Sequence, residues 1–325
     1  MAKLYPLKLE PKLSDKLWGG GGLAEFLDVE SRGDEPLGEV WLVYTDNRIT
    51  NGDLAGKTLA EVAQSQGADL LGSLSLERYG TQFPLLAKFI GADKPLSIQV
   101  HPDDEYAREH EADSGYLGKT EAWVILAAEG DATIIWGFKD ELSEREVRRA
   151  IEEERLEPHL NVVPIQPGDV IYNPAGTLHA IGAGTLLFEI QQSSDLTYRL
   201  YDYGRKDASG KARELHVDKA LDVLDLTVGE RAKVESEPLS ENKTQLLRAE
   251  HFAAERWQVS EEQTGAVNET SLEILTAIEG AMTLRAGEAK VSLGKGEAVV
   301  LPAALGEYTL RGEGVLIRCF VPETR

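Results

Sequence analysis

The stretch from Gly168 to His179, Gly-Asp-Val-Ile-Tyr-Asn-Pro-Ala-Gly-Thr-Leu-His, decides the fold of this 325-residue chain. Its first part is apolar and β-branched, which is typical of a buried strand. Pro174 and Gly176 then mark a turn, and His179 follows where the next strand is expected to begin. The stretch therefore predicts two strands joined by a tight turn that presents a histidine.

Short strand-like runs recur along the rest of the chain. They are rich in Val, Ile, Leu and aromatic residues, and Gly, Pro, Asp and Asn interrupt them. Many short strands separated by turns predict a mainly β protein built as sandwiches or barrels. A few helices are expected: two begin at the capping boxes of Thr58 and Ser143, and others lie within Pro102–Glu111 and Ala212–Leu224.

A weak internal repeat divides the chain. In each copy an apolar strand leads to Glu-Gly, and a later strand runs from Gly to Pro-Ala. The matching segments are Val124–Gly130 with Gly168–Ala175, and Ile274–Gly280 with Gly296–Ala303. The functional groups do not repeat, because Ser271 and Glu307 stand where the first copy has Glu121 and His179. The pattern predicts two related β domains, one with functional groups and one without.

The boundary between these domains is expected in a polar segment. Residues 227–247 contain Glu, Ser, Lys and Asn and few large apolar residues, which is typical of a linker. We therefore expect a metal-binding catalytic domain over residues 1–235. Residues 236–325 are expected to form a degenerate β domain of the same kind.

Composition narrows the choice of partners. The net charge of −22 comes without a basic patch or arm, so no nucleic-acid partner is expected. No apolar run approaches the roughly 20 residues that span a bilayer, and the first residues lack the apolar core of a secretory signal. The single cysteine, Cys319, excludes an intrachain disulfide and indicates a cytoplasmic protein. An anionic substrate would need a local cluster of cations to bind this acidic chain.

Four residues form a candidate metal site. Gln99 and His101 are two apart, as are Lys119 and Glu121, so each pair shares one face of a strand. Together with His179 they supply two imidazoles, a carboxylate and a carboxamide. Nitrogen and oxygen ligands without thiolate suit Zn²⁺, and also Mn²⁺, Fe²⁺, Co²⁺ or Ni²⁺.

At this point the residues resemble a known family. The pair of motifs around His101 and His179 resembles those of the cupin superfamily, and the fuller likeness is to type I mannose-6-phosphate isomerases (phosphomannose isomerases) in their short bacterial form. The segments that carry the likeness are Trp18–Gly20, Gly38–Trp41, Pro84–Lys88, Pro95–Pro102, Gly118–Trp123, Pro174–Ala180 and Ser194–Arg199. They occur in the family's order.

The resemblance implies a fold, a metal and a set of site residues. The fold would be two cupin-like jelly-roll β-sandwiches or barrels with a few short helices, holding one Zn²⁺ per chain. The implied zinc ligands are Gln99, His101, Glu121 and His179, with the part of Gln99 left open. The implied catalytic residues are Arg199, Lys119 and Glu189, and the substrate-binding residues are Lys88 and Trp18. The alternative for Trp18 is a packing residue near the pocket mouth.

The activity implied by the resemblance is interconversion of mannose 6-phosphate and fructose 6-phosphate by proton transfer through an enediol. Two alternatives stay open: another metal-cupin enzyme, such as an Fe or Ni oxygenase or a different sugar isomerase, and a non-enzymatic sugar-binding cupin. Arg199 has its own alternative, a structural ion pair with Asp195 or Asp202. The chain is expected to be a monomer or a homodimer.

Overall fold

The computed structural model describes residues 4–29, 36–206, 210–228 and 231–323. The strands are β1 (Leu7–Lys8), β2 (Lys12–Asp15), β3 (Leu37–Val43), β4 (Leu85–Ala92), β5 (Ile98–Val100), β6 (Glu121–Ala128), β7 (Thr133–Phe138), β8 (Leu160–Pro164), β9 (Val170–Asn173), β10 (His179–Ile181), β11 (Thr185–Gln192), β12 (Tyr198–Tyr201), β13 (Glu237–Ser240), β14 (Lys243–Arg248), β15 (Ala253–Ala266), β16 (Glu273–Ala286), β17 (Ala289–Gly294), β18 (Ala298–Leu301) and β19 (Glu307–Phe320). The helices are α1 (Gly21–Leu27), α2 (Leu59–Gln66), α3 (Ala68–Leu71), α4 (Ser73–Tyr79), α5 (Asp104–His110), α6 (Glu144–Glu152) and α7 (Val217–Val223). The prediction of a mainly β chain with short helices is confirmed.

The predicted helices form, although with different lengths. Thr58 and Ser143 each cap a helix with the reciprocal bonds of a capping box, at the starts of α2 and α6. Helix α5 lies within the predicted 102–111 segment, whereas α7 occupies only the second half of 212–224. Among the helices of the described ranges, none combines the length and the apolar character that crossing a membrane requires.

The prediction of a linker over residues 227–247 is wrong. Strand β13 and the first part of β14 lie in this segment and pair with each other, with Glu237 opposite Gln245. All four residues of β13 are exposed, so the strand carries no apolar alternation that a sequence pattern would detect. Its backbone pairing with β14 is what orders it.

The described chain divides into two compact units. One comprises residues 14–39 and 89–234, and is called the central unit below. The other comprises residues 1–13, 40–88 and 235–325, and is called the C-terminal unit. Segments from the first third of the chain thus belong to the same unit as residues 235–325. The division of roles between residues 1–235 and 236–325 stays a prediction.

The C-terminal unit is built on one antiparallel sheet. Its strand order is β1-β18-β16-β19-β15-β14-β13, with β17 paired to β16. Strands β15 and β19 pair over their full 14 residues. The core contains Trp257, Leu275, Leu284, Leu310 and Leu316, all buried on one side of these long strands.

The strand register of the C-terminal unit corrects the predicted repeat. Glu121 pairs with the fifth residue after Gly168, and Glu273 pairs with the fifth residue after Gly296. Glu273, not Ser271, is therefore the counterpart of Glu121. The sequence comparison relied on the Glu-Gly pairs, but β16 does not end at Gly280 and continues to Ala286. Glu121 lies two residues further from its Glu-Gly pair than Glu273 lies from the pair of the second copy. An alignment on the Glu-Gly pairs therefore matches Glu121 with Ser271.

In the second copy an arginine neutralises this carboxylate. Glu273 is 1% exposed and accepts hydrogen bonds from Arg318 Nε at 2.8 Å and Nη2 at 2.6 Å. Arg318 Nη1 donates to Glu255 at 2.9 Å, and the hydroxyl of Tyr308 donates to Glu273 at 3.1 Å. Burial alone would lower the pKa of Arg318, but its bonds and attraction to Glu273 raise it. The carboxylate that stands in the metal-ligand position is thus held by a guanidinium.

Replacing Arg318 by Leu is expected to destabilise the protein by about 3–5 kcal/mol, because the variant leaves Glu273 buried without its partner. The urea midpoint of unfolding, followed by tryptophan fluorescence, measures the loss. The double variant Glu273→Leu/Arg318→Leu is the matched control, and it is expected to recover most of the stability since it leaves neither charge unpaired. A single variant as stable as the parent would contradict the assignment.

The central unit contains two sheets that enclose a core. One sheet has the order β12-β5-β10-β7-β8. The other ends with the three neighbouring strands β11-β6-β9. Trp123, Ile125, Ile171, Ile181 and Leu187 are buried in a single apolar cluster contributed by both sheets. Because side chains alternate along a strand, every second residue of these strands points into this interior. Helices α6 and α7 cover the opposite face of the five-stranded sheet.

Candidate metal centre and active site

The turn after β9 has the shape that its sequence predicts. Thr177 donates its backbone N–H to the carbonyl of Pro174 at 3.1 Å, and Gly176 has a φ of +87°. A glycine at this third turn position is what a type II turn requires. Gly176 also donates to the carbonyl of His101 at 2.9 Å, so the turn is joined to the segment that follows β5. Strand β10 then begins at His179, as predicted.

One row of side chains crosses the five-stranded sheet. Arg199 pairs with Gln99, Gln99 with His179, and His179 with Trp136, on four neighbouring strands. Directly paired residues project from the same face of a sheet. His179 shares its face with Ile181 of the apolar cluster, so the whole row faces the interior.

A second row crosses the other sheet. Gln191 pairs with Glu121, and Glu121 pairs with Asn173. Glu121 shares its strand face with Trp123, which is fully buried in the same apolar cluster. The two rows therefore project into one interior from opposite sheets.

The two imidazoles and the carboxylate converge between these rows. Glu121 Oε2 lies 3.4 Å from His101 Nε2, and Glu121 Oε1 lies 3.2 Å from His179 Nε2. The candidate ligand atoms of the three residues all lie within 4.8 Å of one another, and each residue is 1% exposed. This span fits a single ion whose bonds to nitrogen and oxygen are about 2.0–2.2 Å long.

The protonation states suit a metal site. Burial, followed by the charge of Lys119, lowers the pKa of His101 to about 3, so its imidazole is neutral near pH 7 and has a lone pair to offer. Burial alone would raise the pKa of Glu121, but Lys119 and the two imidazoles hold it well below its usual value. Lys119 Nζ lies 3.3 Å from Glu121 Oε2, so the two side chains are in contact although Lys119 precedes the first residue of β6.

Unused donor atoms support the same assignment. His101 Nδ1, His101 Nε2 and Glu121 Oε2 are buried and have no hydrogen-bond partner among the described residues. His179 instead directs Nδ1 toward the carbonyl of Thr177 at 2.9 Å, which leaves Nε2 for a ligand bond. Gln99 Nε2 lies 3.5 Å from His179 Nε2, so its carboxamide borders the cluster. The donor set therefore fits a divalent metal with three protein ligands and Gln99 beside them.

Arg199 is held by neutral groups. Its Nε donates to Ser97 Oγ at 3.2 Å, and its Nη1 donates to the carbonyl of Glu214 at 3.0 Å. Among the described residues it forms no ion pair with Asp195 or Asp202, so the structural ion pair considered from the sequence is not formed. Its positive charge stays available at the end of the row that contains Gln99 and His179.

Comparison with known proteins identifies the family. The chain matches the family model described as "Phosphomannose isomerase type I, catalytic domain" over residues 6–136, and "Mannose-6-phosphate isomerase, cupin domain" over residues 242–321. It is 39% identical over 314 residues to mannose-6-phosphate isomerase ManA of Bacillus subtilis, an alignment covering 94% of this chain and 96% of that relative. The chain belongs to the type I mannose-6-phosphate isomerase family. The mannose-6-phosphate isomerase of Streptococcus mutans is 36% identical over 320 residues, 95% of this chain and 96% of that one.

Solved structures agree on the fold of this mannose-6-phosphate isomerase family member. The mannose 6-phosphate isomerase of Bacillus subtilis superposes with a TM-score of 0.84 at 34% identity, covering 97% of this chain and 99% of that one. A putative mannosephosphate isomerase from Archaeoglobus fulgidus, at 21% identity and a TM-score of 0.77, covers 98% of both chains and shares the fold. The predicted cupin architecture is confirmed.

The remaining predicted residues of the family member lie in different surroundings. Glu189 pairs with Trp123 and accepts a hydrogen bond from its Nε1 at 3.0 Å, so it projects into the interior one row from Glu121. Trp18 is buried in the apolar cluster of the central unit. Lys88 belongs to the C-terminal unit, where its Nζ lies 5.7 Å from the ring centroid of Trp41. The roles of all three stay predictions.

Sequence reasoning missed two groups of polar residues in this unit. Asn173 is 1% exposed, lies beside Glu121 in the second row, and has no hydrogen-bond partner for its amide among the described residues. Strand alternation beyond Gly168 would have placed it on the inner face. Arg205 and Arg213 both bind Asp202. The only signal in the sequence was that these basic residues lie close together in a chain whose net charge is −22.

Proposed function

We propose that this chain is a zinc-dependent aldose–ketose isomerase that interconverts D-mannose 6-phosphate and D-fructose 6-phosphate by proton transfer through an enediol. The observation that carries the proposal is the buried convergence of His101, Glu121 and His179 in a chain of this family. The names of its relatives supply mannose 6-phosphate as the substrate, and the family resemblance implies fructose 6-phosphate as the product. One Zn²⁺ per chain is the proposed cofactor.

The metal would be held by the two imidazoles and the carboxylate, with Gln99 as a proposed fourth ligand. A bound divalent cation would supply positive charge beside the sugar oxygens, where charge develops during isomerisation. The ligand set of nitrogen and oxygen without thiolate supports zinc, and it is also compatible with Mn²⁺, Fe²⁺, Co²⁺ or Ni²⁺. A metal-substitution experiment decides among these ions.

The proposed roles of the chain's own residues follow from charge and position. Arg199 would stabilise the developing oxyanion, because its guanidinium stays charged and lies in the row of Gln99 and His179. Lys119 would keep Glu121 ionised, from 3.3 Å. Glu189 is the proposed base for the proton that moves between C1 and C2, since it is the carboxylate in the neighbouring interior row.

Other parts of the proposal rest on the sequence. Residues 236–325 are proposed to form a degenerate, non-catalytic cupin domain. The hydrogen bonds from Arg318 to Glu273 support this proposal, because Glu273 is the counterpart of the candidate metal ligand Glu121. Lys88 and Trp18 are proposed to contact the substrate. A cytoplasmic location and a monomeric or homodimeric state are also proposed, with a sugar phosphate as the small-molecule partner and neither nucleic acid nor a membrane as a partner.

A coupled assay tests the function. The purified chain is expected to convert mannose 6-phosphate to fructose 6-phosphate, to lose this activity after EDTA treatment and dialysis, and to regain it on addition of Zn²⁺. Recovery with Fe²⁺ alone would contradict zinc. Oxygen uptake linked to product would instead indicate an oxygenase, and sugar binding without turnover would indicate a binding protein.

A further inference from the structure

One carboxamide in the interior of the central unit is buried without a partner. Asn173 is 1% exposed, and neither its Nδ2 nor its Oδ1 has a hydrogen-bond partner among the described residues. On the other side of Glu121, Gln191 instead donates its Nε2 to two backbone carbonyls near the end of β11, at 2.8 and 2.6 Å. A buried amide without a partner costs free energy, which a bound group would recover. The Gln191 amide thus holds the chain together, whereas that of Asn173 remains for a ligand.

Asn173 lies beside the candidate metal ligands. It pairs directly with Glu121, so the two side chains project from the same face of their sheet. In the opposite sheet, Trp136 pairs with His179. The Nε1 of Trp136 donates to the carbonyl of Tyr172, the residue before Asn173, at 2.9 Å. Asn173 is therefore connected through its own strand to both sheets that supply metal ligands.

The backbone at Asn173 is held in one conformation. Pro174 follows it, and a residue before proline is restricted to extended conformations. Beyond the proline, Gly176 donates its N–H to the carbonyl of His101 at 2.9 Å, which fixes the turn. A short side chain on a fixed backbone loses little conformational freedom when it binds a ligand.

The chemistry of the carboxamide limits what it can bind. Its Nδ2 only donates and its Oδ1 only accepts. A phosphate or carboxylate group offers acceptors alone and is repelled by the carboxylate of Glu121, and a carbonyl group satisfies Nδ2 but not Oδ1. A hydroxyl group both donates and accepts, so adjacent hydroxyls of one ligand satisfy both ends of the amide.

We propose that Asn173 binds hydroxyl groups of the substrate's carbon chain, with Nδ2 as donor and Oδ1 as acceptor, and so makes the site selective for polyhydroxylated ligands. That the ligand is a sugar phosphate rests on the proposed function. Because Asn173 and Glu121 project side by side, the hydroxyls that it binds are those near the metal ligands. Asn173 is a substrate-binding residue in this proposal and not a ligand of the metal.

Calorimetric titration of the metal-loaded chain with sorbitol 6-phosphate tests the proposal. This probe carries hydroxyls along its carbon chain and has no carbonyl group, so it binds without turnover. Asn173→Leu is expected to bind it about 10–100-fold more weakly than the parent, because a hydroxyl buried against leucine has no partner. Asn173→Ala is expected to show a smaller loss, since the space it opens admits water. Equal affinity in the parent and Asn173→Leu, or no binding by the parent at millimolar concentration, would overturn the proposal.

Stability separates binding from a structural role. Leucine is close to asparagine in size and removes an amide that has no partner, so the unfolding temperature of Asn173→Leu is expected to equal or exceed that of the parent. Asn51→Leu is the matched control, because Asn51 uses both ends of its amide, accepting from the N–H of Lys8 and donating to the carbonyl of Pro6, each at 2.9 Å. This control is expected to unfold at a lower temperature and to keep the parent's affinity for sorbitol 6-phosphate.

The remaining outcomes are equally informative. A fall in unfolding temperature as large as that of Asn51→Leu, or failure of Asn173→Leu to fold together with parent affinity in Asn173→Ala, would overturn the binding role. Metal content below the parent level in Asn173→Leu, measured by atomic emission, would show that Asn173 acts on the metal site and would also overturn it. Weakened sorbitol 6-phosphate binding in Asn173→Leu, when the parent lacks isomerase activity, would leave the role of Asn173 standing and refute the proposed function.

Discussion

Arg199→Ala is expected to lower kcat for mannose 6-phosphate isomerisation by about 10²–10³-fold, the loss that follows removal of one preorganised donor to a developing oxyanion. Among the described residues the guanidinium donates to Ser97 Oγ and to the backbone carbonyl of Glu214, and it forms no ion pair with a carboxylate. Steady-state kinetics measure the effect. The metal content, measured by atomic emission, is expected to stay at the parent level because Arg199 donates to none of the three candidate ligands.

Two controls make this result specific. Arg199→Lys keeps a positive charge without the forked donor geometry and is expected to recover only part of kcat. Arg148→Ala removes a partly exposed cation of the same unit and is expected to leave kcat unchanged. Full turnover in Arg199→Ala would refute the catalytic role, and loss of metal in that variant would show that the arginine acts on the metal site instead.

Glu121→Gln is expected to reduce the affinity for the metal by more than about 100-fold, because loss of an outer-shell partner alone costs 10–100-fold. The substitution keeps the shape of the side chain and removes its charge. It also leaves Lys119, 4% exposed and 3.3 Å away, without its counter-ion. The free energy of unfolding is therefore expected to fall by about 3–5 kcal/mol. Metal content and isomerase activity are both expected to fall to background.

The chain offers a matched control for this prediction. Glu273 is the counterpart of Glu121 in the C-terminal unit, is equally buried, and is paired with Arg318. Glu273→Gln makes the same chemical change and is expected to lower stability without changing metal content. Parent-level metal content in Glu121→Gln would contradict its assignment as a ligand.

Much of the candidate site could be predicted from the sequence because strand periodicity is local. The two-residue spacing of Gln99 with His101, and of Lys119 with Glu121, placed each pair on one face, and the structure confirms the contact between Lys119 and Glu121. The capping boxes of α2 and α6 were equally readable, since a helix cap depends on four consecutive residues.

Pairing between distant strands could not be predicted in the same way. The sequence comparison assigned Ser271 as the counterpart of Glu121, but the register of β16 with β18 assigns Glu273. A shift of two residues keeps every side chain on its original face, so hydrophobic alternation gives no warning of it. Strand β13 was missed because all four of its residues are exposed, so neither of its faces carries the buried apolar residues that mark a strand in sequence.

The sequence by itself determined which chemical groups this protein has for its reaction and which of them share a strand face, because side-chain direction alternates with every residue. It also determined that an acidic chain needs local cations for an anionic substrate. Only the tertiary structure decided that His101, Glu121 and His179 meet, and that Asp202 gathers Arg205 and Arg213 beside Arg199. Such contacts depend on which strands pair and which faces oppose each other, and the free energy that selects them belongs to the packed core as a whole.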